Sequence, residues 1–452
     1  MPIKNLHLFF CLLLCFFAIA ACDKHSDPVE EPDSYVVPDP PAKGSTAKRT
    51  VLIYVVGDNN LGRDGFANSD LQEIEDAVKV LPASLYSYNN MLVFYDQYAS
   101  SSYPVLFRIV KEGKVQPMET DPTKTELIVS AKREILKEYS QEVTSTEPAL
   151  IEEVMKLAFS TFPAESYGFV YWSHGDGWLP GKYRINTLRS MDPLRWIGVD
   201  WDGSSGDTSS SYKTGITEFA EVLKKAPKKL DFLLLDACFM LSVEVAYELR
   251  DCTNYVIGSP TETPGPGASY GKLVSEMFGS NPGIKIAEEY FNFYNEKYNP
   301  DVTNTNTNWT AGVSVTSLDC RKLSSLAMAT DANLPSEITN CKILRTSVFD
   351  YDKRNTTFYS SNYVGYFDMV GLMKSVMSSD KFAVWKKTYD ETVAYWHTTS
   401  KNYSSAAKLF SMEGANGVTH YIPSTAGSTA EKDVQYRSTS WYKDAGLKKI
   451  GW

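Results

Sequence analysis

The chain has 452 residues, 43% of them hydrophobic, and carries 45 lysines and arginines against 55 aspartates and glutamates, a net charge of −10. This length allows two or three domains, and this apolar content is ample for a large buried core. No basic cluster is dense enough to follow a phosphate backbone, so the composition argues against a nucleic-acid partner. We therefore expect a large globular protein.

The first 21 residues have the layout of a secretory signal peptide, with Lys4 before an apolar run and small residues before Cys22. The run is too short to be a convincing membrane span. Residues 19–22 resemble a bacterial lipobox, which implies cleavage before Cys22 and lipid on its thiol. An exported protein anchored in the bacterial cell envelope, at the outer membrane or cell surface, would result. An ordinary cleaved signal with an incidental cysteine is the alternative.

Residues 22–48 are rich in Pro, Asp, Glu and Ser, which predicts a disordered tether between the membrane and the folded region. From residue 49 onward, strand and helix patterns alternate, which predicts an α/β fold with a mostly parallel central sheet. The first strand is expected at 50–56, and a turn-rich loop beginning with Asp58 follows its carboxyl end. Ser69 and Gln72 have the spacing of a capping box, which predicts that a helix begins there.

A short apolar run at 169–172 is followed by His174 and Gly175, so this histidine is expected at the carboxyl end of a strand. A lone histidine is usually structural. A long polar insertion, 179–213, comes next and is mostly typical of an exposed loop. Its oxygen-rich part suggests calcium ligands at Asp200, Asp202 and Asp207, although their spacing does not match an EF-hand and a solvated loop is the alternative.

A second buried strand is predicted at 231–236, and helical periodicity follows Cys238. Cys238 is therefore expected at a strand-to-helix turn, where the start of a helix lowers the pKa of a thiol. A small apolar residue that closes the turn is the alternative. Because the carboxyl ends of parallel strands meet at one edge, Cys238 and His174 can meet across one crevice, as nucleophilic cysteine chemistry requires. The loop at 260–270 is expected to wall the same crevice.

Residues 271–452 are interpreted as a mixed α/β subdomain packed on a core at 49–270, with a helix predicted at 381–398. His397 and His420 are expected to be structural. Cys252, Cys320 and Cys341 lack CxxC spacing, so zinc is not indicated, and pairing of Cys320 with Cys341 is an option for an exported protein.

Five motifs, in this order, resemble the clostripain family of cysteine peptidases, in the clan of caspases, legumain and gingipains. They are DNNL at 58–61, His174-Gly175, Asp236-Ala237-Cys238, the helix at 244–249 and the strand at 417–423. HG or DAC alone is a weak signal, but the ordered set across residues 50–425 is specific. Leu241 departs from the pattern, because the family is expected often to have glycine there. The resemblance implies a caspase-like α/β/α sandwich.

The chemistry implied is a cysteine endopeptidase with a dyad of Cys238 and His174 and no cofactor required. The backbone N–H groups of Gly175 and Cys238 are expected to hold the oxyanion. Asp236 lies two residues before Cys238, so on an extended strand both side chains face the same side. The family implies that this carboxylate binds a basic P1 side chain, giving cleavage after Arg or Lys. A carboxylate bonded only to nearby backbone N–H groups is the alternative.

The family also implies self-processing after a basic residue of the insertion, here Lys182, Arg184 or Arg189. The expected partners are peptide or protein substrates, together with a membrane through the lipid on Cys22. Two other functions stay open: a surface-anchored binding protein on an inactive peptidase scaffold, and a hydrolase of non-peptide acyl groups with the same dyad.

Overall fold

The computed structural model describes residues 37–98, 103–178, 196–201, 212–303, 309–337, 341–353 and 364–452. Its strands are β1 (Ala47–Gly57), β2 (Asn89–Gln97), β3 (Val105–Pro117), β4 (Thr125–Glu138), β5 (Ala164–Trp172), β6 (Trp196–Asp200), β7 (Tyr212–Gly215), β8 (Phe232–Asp236), β9 (Tyr255–Gly258), β10 (Ser314–Asp319), β11 (Phe367–Asp368), β12 (Val393–Thr398), β13 (Lys401–Ser404), β14 (Lys408–Ser411) and β15 (Thr419–His420).

The α-helices are α1 (Asn60–Arg63), α2 (Phe66–Val80), α3 (Ala83–Tyr86), α4 (Pro148–Thr161), α5 (Ile216–Leu223), α6 (Val243–Leu249), α7 (Tyr270–Phe278), α8 (Pro282–Lys297), α9 (Pro300–Thr303), α10 (Leu323–Asn333), α11 (Cys341–Ser347), α12 (Met369–Val376), α13 (Ser379–Thr392), α14 (Glu431–Tyr436) and α15 (Ser440–Asp444). Short 3₁₀ helices form at Cys320–Lys322 and Leu447–Ile450.

Nine strands form one sheet in the order β12-β10-β9-β8-β5-β1-β2-β3-β4. The five central strands, from β9 to β2, are parallel, and antiparallel strands extend both edges. Parallel strands must be covered on both faces, which explains the near-continuous apolar runs of β1, β5 and β8. Helices α4, α5 and α6 cover one face, and α2, α7 and α8 cover the other. The predicted α/β/α sandwich with a mostly parallel central sheet is confirmed.

The second half of the chain contributes to this same sheet. Strand β10 pairs with β9, and β12 pairs with β10, both antiparallel. Residues 37–452 form one compact unit, and the subdomain boundary at residue 270 stays a prediction. The helix predicted at 381–398 is wrong in its last six residues, which form β12. Pairing with β10 gives this stretch, rich in β-branched and aromatic side chains, a place at the sheet edge that local periodicity does not reveal.

Helix α2 begins three residues before the predicted capping box. Its N-cap is Gly65, whose φ of 91° is the left-handed conformation that glycine adopts without strain. Ser69 lies inside the helix, and its N–H bonds to the carbonyl of Gly65. The tight turn out of α1 therefore decides where α2 begins.

The last part of the predicted tether contacts the folded unit. Arg108 of β3 donates to the carbonyl of Pro41 at 2.7 Å, and Lys43 forms an ion pair with Glu134 of β4. Pro41 and Lys43 therefore lie against the β3–β4 hairpin. Among the described residues, no helix combines the length and apolar character needed to cross a bilayer.

Candidate active site

His174 and Cys238 follow neighbouring strands at the same edge of the sheet. Trp172 at the end of β5 is paired with Asp236 at the end of β8, and each predicted dyad residue comes two positions later. Both side chains are partly exposed and line one cleft with a volume of about 710 Å³. The expectation that the two residues meet across one crevice is met by this geometry.

The cleft is acidic. Its walls come from α1, the ends of β5 and β8, the loop after β9, and residues of the second half such as Tyr403 and Trp309. Three carboxylates line it, those of Asp64, Asp236 and Glu262, and the described lining residues include no lysine or arginine. The loop at 260–270 walls the cleft as expected. A cleft of this sign favours positively charged ligands.

Cys238 lies in the turn between β8 and α6, as predicted, but the start of the helix is not beside its thiol, which corrects the expected source of the lowered thiol pKa. Helix α6 begins at Val243, five residues later, and its N-cap is Ser242. A bend of the chain separates the strand from the helix. The thiol is contacted instead by the N–H of Thr263, which lies 3.2 Å from Sγ. A donor aimed at sulfur stabilises the thiolate form, as the predicted helix terminus would have done.

The bend after Cys238 is held in a strained conformation. Phe239 has a φ of 59°, which costs a non-glycine residue about 1–2 kcal/mol. Its N–H donates to the carbonyl of Thr261, and its ring stacks on Tyr366 with centroids 4.6 Å apart. These tertiary contacts maintain the strain and set the direction of the neighbouring thiol.

Tyr366 also contacts the histidine loop. Its hydroxyl lies 2.5 Å from the carbonyl oxygen and 3.2 Å from Oδ1 of Asp176. The same buried side chain therefore joins the loop of His174 to the loop of Cys238. No pattern near Tyr366 in the sequence indicated this contact.

Gly175 allows the two loops to touch. A Cβ at this position would lie 2.8 Å from Sδ of Met240 and 2.9 Å from both Cβ of Ala237 and the carbonyl oxygen of Cys238. Any larger residue would force the loops apart. The backbone of Gly175 thus lies against that of Cys238, and their predicted oxyanion role stays a prediction.

Strand β6, which was expected to be part of an exposed loop, supports the histidine loop from behind. Gly198 donates its N–H to the carbonyl of His174 at 2.8 Å, and Val199 donates to Oγ of Ser173 at 3.1 Å. Asp200 at the end of β6 is buried and accepts from the N–H of Ser145. Its side chain is therefore part of the packed interior and not of a solvated calcium loop.

Several predicted residues lie outside the described part of the chain. They are Cys22, Lys182, Arg184, Arg189, Asp202 and Asp207. Within the described ranges, no group of three His, Cys, Asp or Glu residues could hold a metal ion. Cys238, Cys252, Cys320 and Cys341 are free thiols, so the pairing of Cys320 with Cys341 is not made. Both are instead buried as small apolar side chains.

The His174 ring forms a hydrogen bond with Asn60, a residue to which the sequence alone gave no role. Nε2 of His174 lies 2.8 Å from Oδ1 of Asn60, the first residue of α1. Burial lowers the pKa of His174 to about 4, and the positive charge of Lys213 acts in the same direction. The ring is therefore neutral near pH 7. The signal for Asn60 was its place in the DNNL motif.

Asp236 lies at the floor of the cleft, only 5% exposed. Its Oδ2 accepts from the N–H of Ala268 and the hydroxyl of Tyr270, both at 3.0 Å, and its Oδ1 accepts from the hydroxyl of Tyr290 at 3.2 Å. Burial raises the pKa of Asp236, although the three hydrogen bonds oppose the rise. Strand β8 ends at Asp236, so the alternation of side chains along a strand does not explain the direction of the Cys238 side chain. Both residues nevertheless line the cleft.

A second buried carboxylate, Asp70 of α2, was missed. It accepts from Nε1 of Trp172 at 2.7 Å, and burial raises its pKa well above the usual range, with the charge of Asp236 adding to the rise. Gly267 lies beside both carboxylates. A Cβ at this position would lie 3.0 Å from Oδ2 of Asp236 and 3.5 Å from Oδ2 of Asp70. The signal was a charged residue on the apolar face of a helix, beside Leu71 and Ile74.

The sheet topology and the paired strand ends that carry His174 and Cys238 define a cysteine peptidase of caspase-like fold. The profile of the clostripain family matches residues 53–452, and the chain belongs to this family. It is 22% identical over 461 residues to clostripain of Hathewaya histolytica, a match that covers 90% of this chain and 82% of the relative.

Solved structures agree. A secreted C11 cysteine protease from Bacteroides thetaiotaomicron, in complex with an irreversible peptide inhibitor, is 34% identical, with a TM-score of 0.70 over 89% of this chain and 99% of that chain. An inactive zymogen C11 protease from Parabacteroides distasonis is 24% identical, with a TM-score of 0.66 over 91% of this chain and 99% of that one. The second likeness supports the fold alone.

Proposed function

We propose that this chain is an endopeptidase that cleaves peptide bonds after Arg or Lys, with Cys238 as nucleophile and His174 as general acid and base. The observation that carries the proposal is the buried Asp236 at the floor of an acidic cleft that also holds both dyad residues. Members of this peptidase family use their own side chains for the chemistry and need no cofactor.

The reaction begins with a neutral His174, because its pKa is lowered to about 4. The imidazole takes the proton of the Cys238 thiol as sulfur attacks the peptide carbonyl carbon, and the carbonyl electron pair moves to oxygen. The N–H groups of Gly175 and Cys238 hold this oxyanion, each contributing about 3 kcal/mol.

The tetrahedral intermediate collapses when the C–N bond breaks and His174 gives its proton to the leaving amine. An acyl group then remains on Cys238. His174 next takes a proton from water as the oxygen of that water attacks the acyl carbon. The C–S bond then breaks, and His174 gives the proton to the leaving sulfur, which restores the thiol and the neutral imidazole. The N–H of Thr263 near Sγ supports the sulfur whenever it carries negative charge.

Specificity for a basic P1 side chain rests on Asp236. Its carboxylate is fixed by Ala268, Tyr270 and Tyr290, so a cation reaching it meets an oriented acceptor. Asp70 lies behind it and adds negative potential when ionised. A charged hydrogen bond in this buried place is stronger than one at the surface. The structural relative with a bound peptide inhibitor is consistent with peptide substrates.

The proposal is tested by hydrolysis of fluorogenic peptides that differ only at P1, using the full-length chain and its Cys238→Ala variant. The P1 set contains arginine with its uncharged analogue citrulline, and lysine with its uncharged analogue norleucine. We expect cleavage after arginine or lysine that is lost in the variant. Equal cleavage of charged and uncharged members would contradict the specificity, and activity in Cys238→Ala would contradict the nucleophile.

Self-processing after Lys182, Arg184 or Arg189 belongs to the same proposal. The described residues on either side of this interval are held in the fold, since Trp178 is buried against Tyr421 and the N–H of Gly198 donates to the carbonyl of His174. A cut would therefore leave the described segments on both sides of the interval attached to the fold by these contacts. Mass spectrometry of the active chain should find termini after one of these residues, absent in Cys238→Ala. An uncut active chain would contradict this step.

Anchoring through lipid on Cys22 is a separate part of the proposal, supported by the lipobox-like sequence. Mass spectrometry of the N-terminal peptide from the native host should show a diacylglyceryl group on Cys22. The Cys22→Ser variant should leave the membrane fraction. An unmodified Cys22 in mature protein would contradict anchoring while leaving the peptidase proposal intact.

A further inference from the structure

The contact between His174 and Asn60 favours one tautomer of the histidine ring. The oxygen of an amide only accepts hydrogen bonds, so the 2.8 Å contact with Oδ1 places the ring proton on Nε2. Nδ1 is then the nitrogen with the free lone pair, able to take a proton from the thiol. The contact bridges 114 positions of the chain, so the fold and not local sequence produces it.

The segment that carries Asn60 is rigidly held. The preceding Asn59 is fully buried, and its Nδ2 donates to the carbonyls of Val56 and Val199, both at 2.8 Å. Its Oδ1 caps α1 by accepting from the N–H of Leu61. Gly62 packs so closely against Gly57 that a Cβ would lie 1.8 Å from the carbonyl oxygen. Such fixation is needed for a group that must orient another side chain.

We propose that Asn60 is a positioning residue that completes a cysteine–histidine–asparagine arrangement with Cys238 and His174, a role that rests on the proposed dyad. Asn60 holds the imidazole with its proton on Nε2 and its Nδ1 directed to the thiol. When the ring takes up a second proton, the bond from Nε2–H to Oδ1 becomes charge-assisted and stronger. The contact therefore stabilises the transition state more than the resting enzyme.

The environment of the ring makes this acceptor important. The protein packed around the imidazole disfavours its charged form, and the positive charge of Lys213 disfavours it further. The other titratable groups of the cleft are Cys238, Asp64, Asp236, Glu262 and Tyr403, and Asp176 follows in the same loop. None of these groups is altered in the variants below.

Two substitutions separate the role of an acceptor from that of a space-filling side chain. Asn60→Leu keeps the branching at Cγ but cannot accept a hydrogen bond, whereas Asn60→Asp accepts the same bond and adds negative charge. Asn68→Leu, an exposed position on α2 outside the cleft, is the matched control. All are made in the full-length chain, and Tm establishes that each variant is folded.

We expect Asn60→Leu to lower kcat on an arginine peptide by about 100-fold with KM within threefold, as is typical for loss of acid–base function. Asn60→Asp should keep kcat within about tenfold and move the acid limb of kcat/KM to higher pH by about one unit, because a carboxylate favours the imidazolium. The control should change kcat by less than twofold. A kcat within threefold in Asn60→Leu, or an equal loss in a folded Asn60→Asp, would overturn the proposal.

A second measurement does not depend on peptidase activity. Long-range ¹H–¹⁵N correlation spectra report which nitrogen of His174 carries the proton. We expect the Nε2–H form in the original chain and a mixture of both forms in Asn60→Leu. A dominant Nδ1–H form in the original chain would overturn the role of Asn60, even if peptides are cleaved. If the spectra are as expected but no peptide is cleaved, the role of Asn60 in setting the tautomer is retained and the proposed peptidase function is wrong.

Discussion

Replacing Asp236 with asparagine would remove one charge from the cleft floor while preserving the shape of the site. In Asp236→Asn, the amide oxygen at the Oδ2 position can still accept from the N–H of Ala268 and the hydroxyl of Tyr270. The amide nitrogen at the Oδ1 position would face the hydroxyl of Tyr290, which can rotate to accept. The fold should therefore be retained, and the change in activity should report the charge.

The magnitude follows from the burial of the carboxylate. Loss of one partner from a buried, hydrogen-bonded charge pair costs about 2–5 kcal/mol, and each 1.4 kcal/mol is a factor of ten. Part of this loss is offset in the original chain, because burial raises the pKa of Asp236. At low pH the carboxyl group must therefore give up its proton before it can pair with the cationic side chain. We therefore expect kcat/KM for a P1 arginine peptide to fall by about 100-fold near pH 7. The uncharged citrulline peptide should change by less than about threefold.

The assay compares kcat/KM for the arginine and citrulline peptides in the original chain, in Asp236→Asn and in Asp64→Asn. Asp64 lines the same cleft, but its side chain is 47% exposed, so its removal should change either value by less than about threefold. An arginine-to-citrulline ratio that survives in Asp236→Asn would refute the assignment of P1 specificity. If the arginine-to-citrulline ratio of kcat/KM is lost in Asp64→Asn instead, Asp64 at the cleft wall determines the P1 preference.

Three further outcomes are expected. Tyr366→Phe keeps the stacking on Phe239 but loses the hydroxyl contacts with Asp176, so kcat should fall about tenfold at unchanged KM, measured on the arginine peptide. Gly175→Ala should lower Tm by at least about 3 °C and abolish measurable turnover, because its Cβ would overlap the cysteine loop. The difference between Tm at pH 5 and Tm at pH 8 should be smaller in Asp96→Asn than in the original chain. The reason is that burial, and after it the charge of Asp200, raises the pKa of Asp96 well above its usual range.

The sign of the last effect follows from proton linkage. A carboxyl group whose pKa is higher in the folded chain binds its proton more tightly there than in the unfolded chain. The free energy of unfolding therefore falls as pH rises from the ordinary carboxyl pKa through the raised one. A gap in Tm that is unchanged in Asp96→Asn would contradict the pKa direction. An unchanged kcat in Tyr366→Phe would contradict the role of the Tyr366 hydroxyl in joining the loops of His174 and Cys238. Full activity of Gly175→Ala at the original Tm would contradict the close packing of the same two loops.

Much of the fold could be predicted because its signals are local. The central strands are continuous apolar runs, and the residues after two of them, His174 and Cys238, were correctly expected at the sheet edge. The errors also have local causes. The helical periodicity after Cys238 hid the bend between β8 and α6, and the apparent helix at 381–398 hid strand β12. In both cases tertiary contacts outweighed the local pattern.

The sequence by itself determined the central strands, the motif order and the chemistry of the candidate side chains, because these depend on residues close together along the chain. Only the tertiary structure decided that β5 and β8 are neighbours, that Asn60 meets His174, and that Tyr366 joins the two loops. These contacts link distant parts of the chain. They form because burying the apolar faces of the sheet imposes one strand order, which no local pattern encodes.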